Sequence, residues 1–478
     1  MKKKVHDGKD GFEPSATLEI PPLQSSKINL VYPAPEDELY DPFSQRPQTL
    51  QYSDFGAWAH MVKGGMGTGI MAMPMAFKYG GFVLGLIGTP VVGLVAVHCV
   101  CLLVATAQHL YVRARVPSMT MPEVAYYSFK CGPSYLRRYA VYARIFVQLV
   151  LFLTYFFTII SYSIFIGAAL QQLVEQWTGD SVLDGRVYIA ILALPLIPLG
   201  QVRQMRQLVP CSVLANACIV VGFAITLYYL LDEQPGLSRV SMAPTLIGVP
   251  IFFSTAIYSM EGIGTVMPVE NTMRNPGRLG GWNGIASRAM AFVVAIFTTI
   301  GALGYLKFGE AVLGSITLNL DSDLIPAQVV KALLAAAITL THPLQFYVVF
   351  ELVVPIIESR VSTPSLRNWA QIGMRMTLVT LSLLVAIAVP NLELVIALMG
   401  AVLFSSLGLL IPAGVHLVSE LARWEDDKLE QPGRAVPARR VLTVAKDGLL
   451  LLLSLLTTCA GVYSALDNES KSESSSTQ

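Results

Sequence analysis

Apolar runs follow one another along the chain from residue 54 to residue 466, separated by short polar connections. An α-helix needs about 20 apolar residues to cross ~30 Å of hydrocarbon. Eleven runs reach or approach that length: 54–77, 82–109, 139–170, 187–203, 208–231, 245–267, 286–306, 327–357, 371–389, 393–418 and 447–466. The pattern predicts an all-α polytopic membrane protein with 11 transmembrane helices. The fourth run is short and holds Pro195 and Pro198, so it is the weakest of the eleven. The eighth is over-long and contains Pro343 and Pro355, which predicts a bend or a tilt.

The ends of the chain differ from its middle. Residues 1–50 are polar, carry Pro at 14, 21, 22, 33, 35, 42 and 47, and lack the apolar core of a secretory signal. They are expected to form a disordered tail, ahead of a membrane domain over 51–466 and a short Ser-rich tail over 467–478. Lys and Arg crowd the connections after runs 2, 4, 6, 8 and 10 and are scarce after runs 1, 3, 5, 7 and 9. Basic connections stay cytoplasmic, so the N-terminus is expected in the cytoplasm. An odd number of spans then puts the C-terminal tail outside or in a lumen. The sequon Asn468-Glu469-Ser470 lies in that tail.

Composition agrees with this reading. Of 478 residues, 54% are hydrophobic and 14% charged, against about 25% charged in a soluble domain. A soluble enzyme is excluded on that ground. Net charge is +1, which offers nothing to nucleic acid or another polyanion. Cys99 and Cys101 form a C-x-C pair with no second pair or His cluster, so neither a metal nor any other cofactor is expected.

Two runs break the helical pattern. The first reads Lys63-Gly64-Gly65-Met66-Gly67-Thr68-Gly69-Ile70-Met71-Ala72-Met73-Pro74, and the sixth Ser259-Met260-Glu261-Gly262-Ile263-Gly264-Thr265-Val266-Met267-Pro268. Each interior glycine costs a helix roughly 0.8–1.0 kcal/mol relative to Ala. Both stretches end in Met-Pro, and they lie five spans apart. An odd offset reverses direction across the bilayer, which is the signature of an inverted repeat of spans 1–5 on 6–10 with one extra helix. Matched interruptions in the two halves point to a transporter binding site, although small residues also serve plain close packing.

An unwound segment leaves backbone groups unpaired, at several kcal/mol each in hydrocarbon. A zwitterionic amino acid satisfies them. Its carboxylate would accept from N–H groups near Gly67, Thr68 and Gly69, and its ammonium would donate to carbonyls of the sixth span. Gly64, Ser259 and Gly262 are small enough to admit the ligand backbone. Tyr155 and Tyr162, seven residues apart on one face of span 3, would gate the site or pack the core. The scarcity of compensating charges favours small neutral substrates.

Ionisable residues deep in spans are functional candidates. His98 lies well inside span 2 and titrates near pH ~6.5, which suits proton coupling; a neutral histidine bonded to another helix is the alternative. Glu261, beside the second break, would carry a proton or anchor the unwound backbone. His342 precedes Pro343 and would satisfy the kink. Arg144, near the start of span 3, is expected to snorkel.

Lys63–Pro74, the tract Ala96-Val97-His98-Cys99, Ser259–Asn275, Gly304–Leu320 and Leu344-Gln345-Phe346-Tyr347-Val348 together resemble the proton-coupled amino acid transporters of the amino acid/auxin permease superfamily. The resemblance covers about residues 50–465. It implies a LeuT-type fold with eleven helices, electrogenic proton/amino acid symport, a cytoplasmic N-terminus, and a proton-coupling role for His98. One departure stands out: relatives with an external disulfide carry a cysteine after the Asn-Leu motif, where this chain has Asp321-Ser322-Asp323. The expected function is symport of small neutral amino acids with protons across a plasma, lysosomal or endosomal membrane. A receptor-like amino acid sensor would share the same site. An ion channel fits poorly, since no charged ring or filter repeat is present.

Overall fold

The computed structural model describes residues 40–46, 51–66, 69–179, 183–203, 205–232, 236–237, 240–260, 262–430 and 438–476. These fold almost entirely into helix. In chain order they are α1 (Asp54–Gly65), α2 (Gly69–Ala114), α3 (Met121–Lys130), α4 (Ala140–Thr178), α5 (Gly185–Ile191), α6 (Ala193–Gly200), α7 (Met205–Leu231), α8 (Gly248–Ser259), α9 (Ile263–Thr272), α10 (Ile285–Phe308), α11 (Ile325–Arg360), α12 (Pro364–Ala388), α13 (Leu392–Leu398), α14 (Ile411–Glu430) and α15 (Ala438–Ser476).

Among the described residues, eight helical stretches are long and apolar enough to cross a membrane by length and composition. The remaining three apolar runs, the first, fourth and sixth, are each divided. Run 1 is α1 plus residues 69–80, run 4 is α5 plus α6, and run 6 is α8 plus α9. Twelve residues of α1 and twelve of α8 make ~18 Å each, about half a bilayer. The last helix outruns its apolar segment: α15 continues to Ser476, across the sequence expected to be a tail.

Helix α2 is two helices meeting at Gly81, where φ is +68° and ψ 166°. The N–H groups freed there are met by a crossing loop, with Phe82 N donating to Ser241 O at 2.8 Å and Val83 N to Met242 O at 3.2 Å. A Cβ on Gly81 would lie 2.8 Å from the Ala243 carbonyl carbon. Gly81→Ala is therefore expected to lower stability by roughly 1–3 kcal/mol, read as a lower melting temperature of the solubilised protein. An unchanged melting temperature would mean that the loop gives way.

The core lies where α2 meets α8 and α10 and where α4 meets α11. Phe77, Phe252 and Phe297 are fully buried there. Met399–Phe404 and Ser406–Leu410 wind as π-helix between α13 and α14. α15 adds hydroxyl donors to the carbonyls of this stretch: Thr458 Oγ1 donates to Ala401 O at 2.8 Å and Ser454 Oγ to Ser405 O at 3.1 Å. All six cysteines are free.

Candidate functional site

The two glycine-rich breaks face each other. α1 stops at Gly65 and α2 begins at Gly69, while α8 stops at Ser259 and α9 begins at Ile263. A Cβ on Gly69 would lie 2.5 Å from both Cα and O of Ser259, so the two backbones run in contact at that point. A Cβ on Gly262 would sit 3.4 Å from Gly65 Cα, and one on Gly64 would lie 2.6 Å from Thr265 Oγ1. Gly262 is extended, with φ at 173°. Tyr155 Oη reaches the same place from α4, 2.7 Å from where a Cβ on Gly264 would stand.

Four helix ends thus converge in one place. The starts of α2 and α9 present N–H groups without intrahelical partners, and the ends of α1 and α8 present carbonyls. Part of the demand is met internally: Thr265 Oγ1 donates to Gly262 O at 2.7 Å. Ser259 Oγ and Thr255 Oγ1, one helical turn apart on α8, are buried and bond to no atom among the described residues. Of the residues expected at the site, Gly64, Gly69, Tyr155, Ser259 and Gly262 come together in this way. Gly67, Thr68 and Glu261 lie outside the described residues. Tyr162, on the same helix as Tyr155, accepts from Gln345 Nε2 of α11 at 3.4 Å.

His98 belongs to a different cluster. Its Nε2 is 2.8 Å from Lys446 Nζ of α15, and its ring stacks on Trp282 with centroids 6.2 Å apart. Lys446 Nζ is 3.0 Å from Asp447 Oδ1, and Asp447 Oδ2 is 2.6 Å from His416 Nδ1 of α14. Asp447 is fully buried. Sequence reasoning passed over Lys446, Asp447 and His416 because each stands at the edge of an apolar run, where charge is ordinary. The adjacency of Lys446 and Asp447 at the start of one apolar run was the available signal.

His342 corrects an expectation. It is fully buried, yet neither ring nitrogen meets a polar partner among the described residues, so it does not satisfy the Pro343 kink. Arg144 is half-buried near the start of α4.

A third cluster lies where the N-terminal segment meets the end of α9. Arg46 Nη2 is 3.0 Å from Glu270 Oε2, and Arg46 Nη1 donates to Glu270 O at 2.8 Å. Arg46 Nε donates to Pro117 O at 2.7 Å, and its guanidinium stands over the rings of Phe43 and Tyr111. Glu270 also accepts from Tyr111 Oη at 2.8 Å and from Gln108 Nε2 at 3.3 Å. Both members of the pair are buried. Pro-rich composition predicts no order over 1–50, but these contacts fix residues 41–46. Beyond them, Tyr52 N donates to Thr272 O at 2.8 Å and Arg274 N to Tyr52 O at 3.0 Å. No group of three or more His, Cys, Asp or Glu among the described residues is placed to hold a metal ion.

Comparison with known proteins follows the same lines. Residues 51–426 match the family model described as transmembrane amino acid transporter protein. A Drosophila melanogaster protein named proton-coupled amino acid transporter-like protein pathetic is 37% identical over 388 residues, covering 81% of this chain and 80% of its own. Amino acid transporter AVT3C of Arabidopsis thaliana is 28% identical over 423 residues, covering 84% of this chain and 88% of its own. Among solved structures, the inward-facing conformation of Mhp1 superposes with a TM-score of 0.50 at 16% identity, over 91% of this chain and 95% of that one. That last likeness is one of fold, of the LeuT-like kind.

Proposed function

As this chain belongs to the transmembrane amino acid transporter family, we propose that it is a secondary active transporter carrying small neutral amino acids together with protons. The observation behind this reading is the meeting of four helix ends at Gly65, Gly69, Ser259 and Ile263. Two are N-termini and two are C-termini, with partial charges of roughly +0.5 and −0.5. They sum to about zero while offering a donor pole and an acceptor pole. An α-amino acid carries the complementary arrangement, a carboxylate for the free N–H groups and an ammonium for the free carbonyls. The backbone meets both charges, so a substrate with a third charge would lack a partner.

Eleven crossings, five and five in inverted repeat plus α15, would put the N-terminus in the cytoplasm, as the basic connections argue. Plasma membrane and lysosomal or endosomal membrane both supply an inward proton gradient. The named proton coupling of the Drosophila relative supports the proton as co-substrate, with His98 as its acceptor and Glu261 as a second candidate.

The test is uptake of labelled glycine, alanine and proline into vesicles holding the purified protein, at about pH 5.5 and 7.5, either side of the histidine range. Uptake several-fold faster at the acid value is expected. Measurable binding without flux would replace the transporter by a sensor. His98→Ala is expected to remove the acid stimulation while surface abundance persists. Wild-type pH dependence per molecule at the surface would end the role of His98.

A further inference from the structure

We propose that Lys446 is a positioning residue that decides when His98 takes a proton, and that the row His98–Lys446–Asp447–His416 is a proton-dependent tie between α2, α15 and α14. The proposal rests on the reading of His98 as the coupling histidine. An ammonium has three donors and no acceptor. Lys446 Nζ at 2.8 Å from His98 Nε2 is a hydrogen bond only when Nε2 offers its lone pair. In this arrangement His98 is neutral, with its single proton on Nδ1. A proton arriving at Nε2 would set two donors and two positive charges against each other at that distance. The contact must then open.

The surroundings provide for that opening. Lys446 already lies 3.0 Å from Asp447 Oδ1, so the ammonium has a carboxylate to withdraw to, and its side chain is 35% exposed. Trp282 lies alongside the imidazole, with ring centroids 6.2 Å apart. Asp447 is shared with His416 Nδ1 at 2.6 Å, so movement of Lys446 onto Asp447 is felt on α14. The ionisable groups around His98 are Lys446 and Asp447 from α15, His416 from α14, and Cys99 and Cys101 on α2 itself. The loop before α10 contributes Trp282. Helices α2 and α14 belong to opposite halves of the repeat expected from the sequence. The row joins them through α15, and a proton that opens its first link, His98 to Lys446, would bias the same equilibrium that a substrate biases, which is what coupling requires.

The test follows the titration of His98 itself by NMR, using the full-length protein in nanodiscs with isotope-labelled histidine. The His98 signal is identified by its loss in His98→Gln. Removing the cation with Lys446→Met is expected to move His98 protonation alkaline by about one pH unit, and removing the anion with Asp447→Asn to move it acid by a similar amount. The midpoint of acid-stimulated uptake is expected to move in the same two directions. A merely structural role would not give shifts of opposite sign. Should Lys446→Met fail to reach the membrane, Lys446→Gln carries the same expected sign. An unmoved His98 titration in the Lys446 and Asp447 variants, or shifts of one sign in both, would overturn the proposal whatever uptake does. Opposed titration shifts with pH-insensitive uptake would uphold the control by Lys446 and remove His98 from transport coupling instead.

Discussion

Gly69→Val is expected to weaken amino acid binding and uptake strongly while the protein still reaches the membrane. The new Cβ would meet Ser259 Cα and O at 2.5 Å, a separation at which one backbone must move. Neither can move alone, because Gly64 sits against Thr265 and Gly262 against Gly65 on either side of the same contact. Overpacking of this kind costs about 1–3 kcal/mol, which appears in affinity as roughly a 5- to 150-fold loss. Gly69→Ala adds the Cβ without the branch and is expected to fall between wild type and Gly69→Val. Labelled amino acid binding, normalised to surface-biotinylated protein, measures the series. Undiminished affinity in Gly69→Val would move the substrate away from the breaks.

Glu270→Ala is expected to be the most destabilising single change in the Arg46 cluster. It would leave a buried guanidinium without its counter-ion, remove the shorter of the two bonds of the Tyr111 hydroxyl and remove one donor bond of Gln108. Removing one partner of a buried ion pair costs about 3–5 kcal/mol, whereas replacing both by apolar residues of similar volume is often neutral. The double variant Arg46→Met with Glu270→Met is therefore expected to recover most of the melting temperature that Glu270→Ala loses. Equal losses in the single and double variants would mean that the remaining contacts, Arg46 to Pro117 O and to the Phe43 and Tyr111 rings, do most of the holding.

Much of the candidate site is legible in the sequence because its signal is local. Glycines at 64, 65, 67 and 69 and the Gly262–Gly264 stretch break helices wherever they fall, and the repeated Met-Pro after each shows that the two breaks correspond. Helix interruption needs no partner to be inferred. The division of the fourth run at Leu192, between α5 and α6, follows in the same way from its two prolines.

The charged clusters were legible only as single residues. Lys446 and His98 are 348 positions apart, and Arg46 and Glu270 are 224 apart. No periodicity links such positions; helix packing alone brings them together. His98 drew notice because it is deep in an apolar run. The structure brings α15 to it, with charges that look unremarkable where α15 begins. Arg46 was hidden by the opposite effect, standing in a Pro-rich stretch whose composition argues against any fixed contact.

The hydroxyl bonds from α15 to the π-helical stretch also bear on how the protein is made. Carbonyls of Ala401 and Ser405 accept from Thr458 and Ser454, on a helix that the ribosome delivers after both α13 and α14. Until it arrives, Ala401 O keeps the bond from Ser405 Oγ, but the wide turns between α13 and α14 lack the hydroxyls of Thr458 and Ser454 and are free to rewind into ordinary α-helix. The winding of that stretch is then set by the insertion of α15. A nascent chain lacking it would present polar backbone within the bilayer, a mark by which membrane quality control could tell an unfinished molecule from a finished one.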